Sequence, residues 1–295
     1  MRILYVCEAE SGGIVEYALR QVSGLAGAGA EVMVLCRPTF PVDRLRDCGV
    51  KASLPVAPAG KNWSKKIVAR IQDGREVARI VVETAVESHC DAVLMACYSE
   101  YFAPFWAGIY RTLADKIPIG TIAHDPVRDF QLGPRWWHRW SVRQGYSFVR
   151  DVFVHDETAV DFGGRRPTGI RLHCIPHGPF ELAEPYRGRE ATRERYGISI
   201  EDRVFLAFGQ IRDGKNLDRF LRAMPGLPAD VKLLVAGSGD SASQRRPSFY
   251  QDLSKQLGVD DRCFWDVRYI PNEDTGDLFA AADFLLMTYS AKFRS

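Results

Sequence analysis

Two cations three residues apart, Arg212 and Lys215, stand in the stretch Phe208-Gly209-Gln210-Ile211-Arg212-Asp213-Gly214-Lys215-Asn216, between an apolar run and a helical pattern. Arginine can fork two oxygens and lysine adds a point charge, so the pair suits a diphosphate. A solvated loop with incidental charges is the plainer reading. Position tips the balance, because open α/β sheets bind ligands at the carboxyl ends of their strands. His124, in Thr121-Ile122-Ala123-His124-Asp125-Pro126, closes another apolar run and could exchange a proton near neutral pH. A purely hydrogen-bonded structural histidine fits the same place. Two glycine turns, Ser11-Gly12-Gly13 and Ala236-Gly237-Ser238-Gly239-Asp240, follow apolar runs and either admit a ligand close to the backbone or simply turn. The segment Arg135-Trp136-Trp137-His138-Arg139-Trp140 could lie at a membrane surface with its basic heads snorkelling. Packing against the core is the favoured expectation, and a single-strand nucleic-acid groove the weakest.

Several chemistries lack their signatures. There is no GxGxxG fingerprint, no Walker A lysine loop and no GxSxG nucleophile elbow. There is also no DxD pair, HExxH or two-His cluster, so a divalent-metal site of those types is not expected. Lysine and arginine total 39 against 37 acids, a net charge of +2, which argues against nucleic-acid binding by bulk charge. The 7 cysteines form no CxxC and no even framework, as expected of free thiols in a reducing compartment. No apolar stretch approaches the roughly 20 residues that span a bilayer, and the first residues lack a signal-peptide core. A cytoplasmic protein is the default, in which the sequon Asn62-Trp63-Ser64 is void.

The elements that must hold these residues follow from periodicity. Unbroken apolar runs at 3–7, 32–36, 92–97, 119–124, 152–155, 172–176, 204–209, 232–236 and 284–289 read as strands covered on both faces, with a further strand near 264. Amphipathic helices alternate with them at 14–28, 67–87, 216–224 and 247–257. The alternation predicts a doubly wound parallel α/β sheet. It pauses only in a polar, proline-bearing stretch that opens a helix at 189–196. With 295 residues, two domains are expected: a Rossmann-like domain at 1–178, a linker at 179–197, and a second Rossmann-like domain at 198–295 that looks incomplete.

In that order, Ser11-Gly12-Gly13, Ile175-Pro176-His177-Gly178, the Arg212-x-x-Lys215 loop, Leu234-Val235-Ala236-Gly237-Ser238-Gly239 and Ala282-Asp283 resemble family-4-like retaining glycosyltransferases of the GT-B fold. The resemblance implies two facing Rossmann-like domains with a cleft between them. It implies sugar transfer from a UDP- or GDP-linked donor to a glycan or lipid-linked acceptor in surface polysaccharide synthesis, with no metal and no other cofactor. Arg212 and Lys215 would hold the donor diphosphate and stabilise the leaving group. His124 would contact donor sugar or acceptor, with Asp125 on the acceptor side. Gly12 and Gly13 would approach the donor phosphates or the acceptor, while Gly237, Gly239, Arg268, Tyr269 and Ile270 would border the nucleobase. A lipid-linked acceptor would bring peripheral contact with the inner face of a membrane; nucleic acid is not an expected partner.

After residue 289 the family continues with a small-residue loop and paired glutamates, which this sequence does not show before Ser295. The expectation is therefore a truncated second domain, and the alternative function an inactive remnant that binds only nucleotide or a partner protein. A dinucleotide-dependent oxidoreductase is disfavoured by the missing glycine fingerprint.

Overall fold

The structure is a computed structural model that describes all residues except 11, 46–47, 52–53, 59–62, 128–130, 157–158, 179–182, 240–244 and 290–295. Ser11, Asn62, Pro179, Asp240 and the final residues discussed above lie outside the described set. The chain divides into two compact units, Met1–Phe180 (with Ser295) and Glu181–Arg294.

In the first unit, strands β1 (Arg2–Cys7), β2 (Glu31–Cys36), β3 (Gly49–Lys51), β4 (Ala92–Cys97), β5 (Ile119–Ile122), β6 (Asp151–Val154) and β7 (Arg171–Cys174) form one sheet. Its order is β3-β2-β1-β4-β5-β6-β7, and every pairing is parallel. The chain thus reverses direction across the sheet between β1 and β4. The reason the strands read as unbroken apolar runs is visible in β1. Leu4 and Val6 join one core cluster while Tyr5 and Cys7 join another, so both faces are covered. Helix α1 (Gly13–Gly27) buries Val15, Ala18, Leu19 and Val22 at helical spacing, and Gly12 caps it at a φ of 84°. Helices α2 (Trp63–Glu87), α3 (Ala107–Ala114) and α4 (Arg135–Gly145) complete this unit among the described residues.

Helix α4 corrects the expectation of core packing for Trp136 and Trp140, while Trp137 is half-buried beside Phe105. It buries His138, Ser141, Val142 and Gly145, while Trp136 is 67% and Trp140 45% exposed. On that buried face Gly145 packs directly on Glu100 of the neighbouring turn.

In the second unit, helix α5 (Gly188–Tyr196) precedes β8 (Arg203–Phe208), α6 (Leu217–Ala223), β9 (Val231–Ala236), α7 (Pro247–Gln256), β10 (Cys263–Asp266), α8 (Asn272–Ala281) and β11 (Phe284–Leu285). The sheet order is β10-β9-β8-β11, again parallel, with its reversal between β8 and β11. The stretch expected as a linker carries the expected helix. Its helix α5 belongs to the second unit, where Arg193 is 1% exposed. That guanidinium donates to the carbonyls of Ala281, Ser199, Ile200 and Asp202 and pairs with Asp283 at 2.7 Å. A buried charge so fully partnered ties the helix to α8 and the start of β11.

Candidate functional site

The reversal point of the second sheet carries the two cations. Arg212 and Lys215 leave the carboxyl end of β8 and line one small cavity with Gly209, Leu286 and Thr288. Their loop is pinned on both sides. The Asp213 carboxylate accepts from Arg245 Nε at 2.6 Å and from Tyr250 Oη at 2.9 Å. Asn216, at a φ of 50°, donates from Nδ2 to the Thr288 carbonyl at 2.6 Å, joining the loop to the chain beyond β11. Lys215 Nζ is turned inward and donates to the Phe208 carbonyl. Burial, then the charge of Arg212, pulls the Lys215 ammonium down to about 8. A pre-positioned ammonium that donates to a carbonyl beside a guanidinium has the chemistry to accept an anion.

Gly237 is required here by the fold. A Cβ on it would stand 2.0 Å from the Gly209 carbonyl oxygen, so the ends of β8 and β9 pack backbone against backbone. A Cβ on Gly239 would likewise stand 2.4 Å from the Pro247 ring. Of the other nucleobase candidates, Ile270 is 8% exposed in the core, and Arg268 is half-buried and bound to Asp266 at 2.8 Å and Asp274 at 2.7 Å. Tyr269, between them, is exposed.

The reversal point of the first sheet holds a group that sequence reasoning missed. A cavity of about 350 Å³ at the ends of β1 and β4 is lined by Glu8, Arg37, Arg70, Asp73, Ser99 and Tyr110, among others. Arg37, 3% exposed, grips Asp73 through two bonds of 3.0 and 2.9 Å and donates to the Glu8 carbonyl at 3.1 Å. Its nearer charge contact with the Glu8 carboxylate is 3.7 Å. Arg37 is thus committed mainly to Asp73. Burial pushes Glu8 up to about 7, with Asp73 adding to the rise and Arg37 and Arg70 opposing it. A carboxyl poised there can give or take a proton at neutral pH. Tyr110 Oη, also buried at this wall, makes no hydrogen bond to the described protein. The available signal was a glutamate directly following an apolar strand; its burial depends on Arg37 and Asp73, far away in sequence.

Next to it, a cavity of about 210 Å³ is lined by Ile14, Tyr98, Thr121, His124 and Asp125. Ile14 and Tyr98 line both cavities, so the two adjoin. Strand β5 stops at Ile122, which leaves His124 in the loop beyond it. His124 does not titrate near neutral pH as the sequence suggested. Burial and the neighbouring His155 and His177 push it down to about 4, against a smaller opposing effect of the Ala96 backbone. It is a neutral imidazole throughout the physiological range. Gly12 and Gly13 open α1 in the same unit, and a Cβ on either would meet nothing within 4 Å.

Residues 188–292, which contain the Arg212-x-x-Lys215 loop and the Gly237 turn, match the family Glycosyl transferases group 1. In structure, the chain is similar to HepE of Anabaena, solved in complex with UDP, with a TM-score of 0.66 and 18% identity over 99% of this chain and 75% of that one. It is also similar to sucrose-phosphate synthase of Thermosynechococcus elongatus, with a TM-score of 0.64 and 14% identity over 97% of this chain and 75% of that one. The chain has the GT-B fold.

In sequence, 109 residues are 32% identical to D-inositol 3-phosphate glycosyltransferase of Mycobacterium bovis. That match spans 36% of this chain and 22% of the relative. A second such enzyme, of Mycobacteroides abscessus, is 29% identical over 109 residues, or 24% of its length. The chain therefore spans about a quarter of the length of the curated relatives it matches. Each unit is a Rossmann-like sheet with a reversal of strand order, the feature at which open α/β sheets generally take ligands.

Proposed function

We propose that this chain is a glycosyltransferase moving a sugar, with retention, from a UDP- or GDP-linked donor to a glycan or lipid-linked acceptor in surface polysaccharide synthesis. The observation that carries it is the Arg212–Lys215 pair at the β8 reversal point, inside the matched family region. Two fixed cations there neutralise the charge that develops on a departing diphosphate, a role that in other transferases falls to a metal. The donor site accordingly needs no metal in this reading. HepE, solved with UDP and with UDP-glucose, makes a uridine nucleotide the first donor to test.

The acceptor belongs to the first unit. Glu8 accepts the hydrogen bond, or the proton, of the acceptor hydroxyl, and His124 with Asp125 borders the transferred sugar. Among the described residues no helix is long and apolar enough to cross a membrane. The exposed Trp136 and Trp140 on α4, with Arg135, Arg139 and Arg143 also exposed, suit a peripheral contact with an anionic cytoplasmic membrane face. A lipid-linked acceptor would be met there.

A thermal-shift series with UDP, GDP and their sugars tests the reading, because ligand binding to the native state raises apparent stability. One nucleotide should raise the midpoint, and Arg212→Ala or Lys215→Ala should remove that rise and slow transfer. An unchanged donor affinity and rate in both variants would sink the assignment. His124→Ala should lower turnover more than nucleotide affinity, and loss of UDP binding with an intact fold would show that its placement is wrong.

A further inference from the structure

Three histidines converge at one end of the first sheet, although the sequence shows no two-His motif. Strands β5, β6 and β7 are consecutive neighbours, and His124, His155 and His177 each lie just past the carboxyl end of one of them. Parallel strands end about 4.8 Å apart, so residues that follow their ends come together whatever their separation in sequence. One ring nitrogen from each lies within 4.8 Å of the others, and His155 Nε2 is 3.2 Å from His124 Nδ1. Tyr17 packs against all three rings, with centroids 4.8, 5.0 and 5.1 Å away.

We propose that these three imidazoles form a binding site for a borderline divalent cation of the Zn2+ class. Tetrahedral coordination at about 2.0–2.1 Å requires nitrogens roughly 3.3 Å apart, the spacing His124 and His155 already have. His177 is exposed and closes the remaining distance by rotating its side chain. Outer-shell partners are in place for His155 and His177, while His124 Nε2 is buried without one. His155 Nδ1 faces the Ile175 carbonyl at 3.3 Å and His177 Nδ1 faces the Gly178 carbonyl at 2.9 Å. Each carbonyl takes the Nδ1 hydrogen and leaves the Nε2 lone pair for a metal. Burial first, then repulsion from neighbouring imidazoles, lowers both His124 and His155 and so favours the neutral form that ligates a metal. Three nitrogen donors select Zn2+ over Mg2+ or Ca2+, which prefer oxygen. The fourth position falls to water or a ligand oxygen. This inference is independent of the transfer reading, because binding is read without substrate.

The test is calorimetric titration of the full chain, stripped with EDTA, with ZnCl2 and separately with MgCl2. Expected are one Zn2+ bound per chain, no Mg2+ heat, and a visible spectrum of tetrahedral type when Co2+ is substituted. His177→Asn, at an exposed position, and His155→Asn should each weaken Zn2+ about tenfold or more. Cys174→Ser, which removes a nearby exposed thiol, and His89→Asn should leave affinity and stoichiometry unchanged. Circular dichroism confirms that each variant is folded. Zn2+ affinity unaltered in both His177→Asn and His155→Asn, loss of the site in Cys174→Ser, or absence of Zn2+ binding by the parent chain overturns the proposal.

Discussion

The two sheet-reversal points share a topology and differ in sign. In the first unit the crevice between β1 and β4 holds a carboxyl, Glu8, pushed up to about 7. In the second, the crevice between β8 and β11 holds an ammonium, Lys215, pulled down to about 8. Both shifts have burial as their leading cause, and both move the group toward its neutral form. A Rossmann-like sheet that brings a charge to its reversal point desolvates it against the strand ends, whichever charge it is. The fold supplies the perturbation and the sequence supplies its direction. A charge kept there against its own solvation cost is the kind of group that clusters at functional sites, and in structural ion networks as well.

The glycine turns divide the two crevices more sharply. Gly12 stands in open space at a φ of 84°, while Gly237 abuts the Gly209 carbonyl. Gly237→Ala should therefore cost about 3 kcal/mol or more, since backbone on both sides must move. Gly12→Ala should cost about 1 kcal/mol, the penalty of a left-handed conformation alone. Urea melts of the two variants check the order. Equal costs would break the claim that the second crevice is the more tightly built.

Lys215→Met tests the basic crevice directly. A lysine whose folded value lies near 8 is charged in both folded and unfolded chains below that pH, so its full burial cost is present there. The cost is relieved as pH rises from about 8 toward the unfolded value. Removing the charge should raise stability at pH 7 by about 2 kcal/mol, a gain that shrinks above pH 8. Nucleoside diphosphate affinity should fall by about tenfold or more in the same variant, as it loses one charge-assisted bond. In the parent chain that affinity should decline as pH rises through about 8, where Lys215 gives up its proton, and the decline should be absent in Lys215→Met. A variant that loses stability at pH 7 while keeping affinity would reverse the comparison.

What was legible in the sequence follows the same division. Strands covered on both faces announce themselves as apolar runs, so β1, β2, β4, β8 and β9 were readable to within a residue or so. The three-residue edge strand β3, carrying Lys51, has no such run, and α8 buries Thr275, Gly276 and Asp277, which carry no apolar stripe. The Arg212–Lys215 loop was readable because both cations sit in one local stretch. Glu8 and the histidine trio were not, because the first owes its environment to Arg37 and Asp73 and the second to the order of strands β5, β6 and β7. Spacing along the chain does not encode sheet order. The exposure of Trp136 and Trp140 was hidden for a related reason: a four-residue spacing shows that they share a helix face, and only packing shows which face is turned out.

Glu8→Gln is the mirror of the lysine substitution, and its effect should be smaller because the cavity admits water. A carboxyl whose folded value is near 7 and unfolded value near 4.3 favours the folded state below the lower value, where both chains are protonated and no charge is buried. That advantage disappears as pH rises through 7, because the folded chain must then hold the ion among Arg37, Arg70 and Asp73. The amide keeps the shape of the carboxyl without its charge. The variant should match the parent chain at pH 4.5 and exceed it by about 1–2 kcal/mol at pH 8, a difference opposite in pH dependence to that of Lys215→Met. Chemical denaturation at the two pH values measures it. If the gain were present at pH 4.5 and lost at pH 8, Glu8 would be an ion-paired carboxylate serving Arg37. The first crevice would then be a salt-bridge network, with no poised acid to set against the amine of the second.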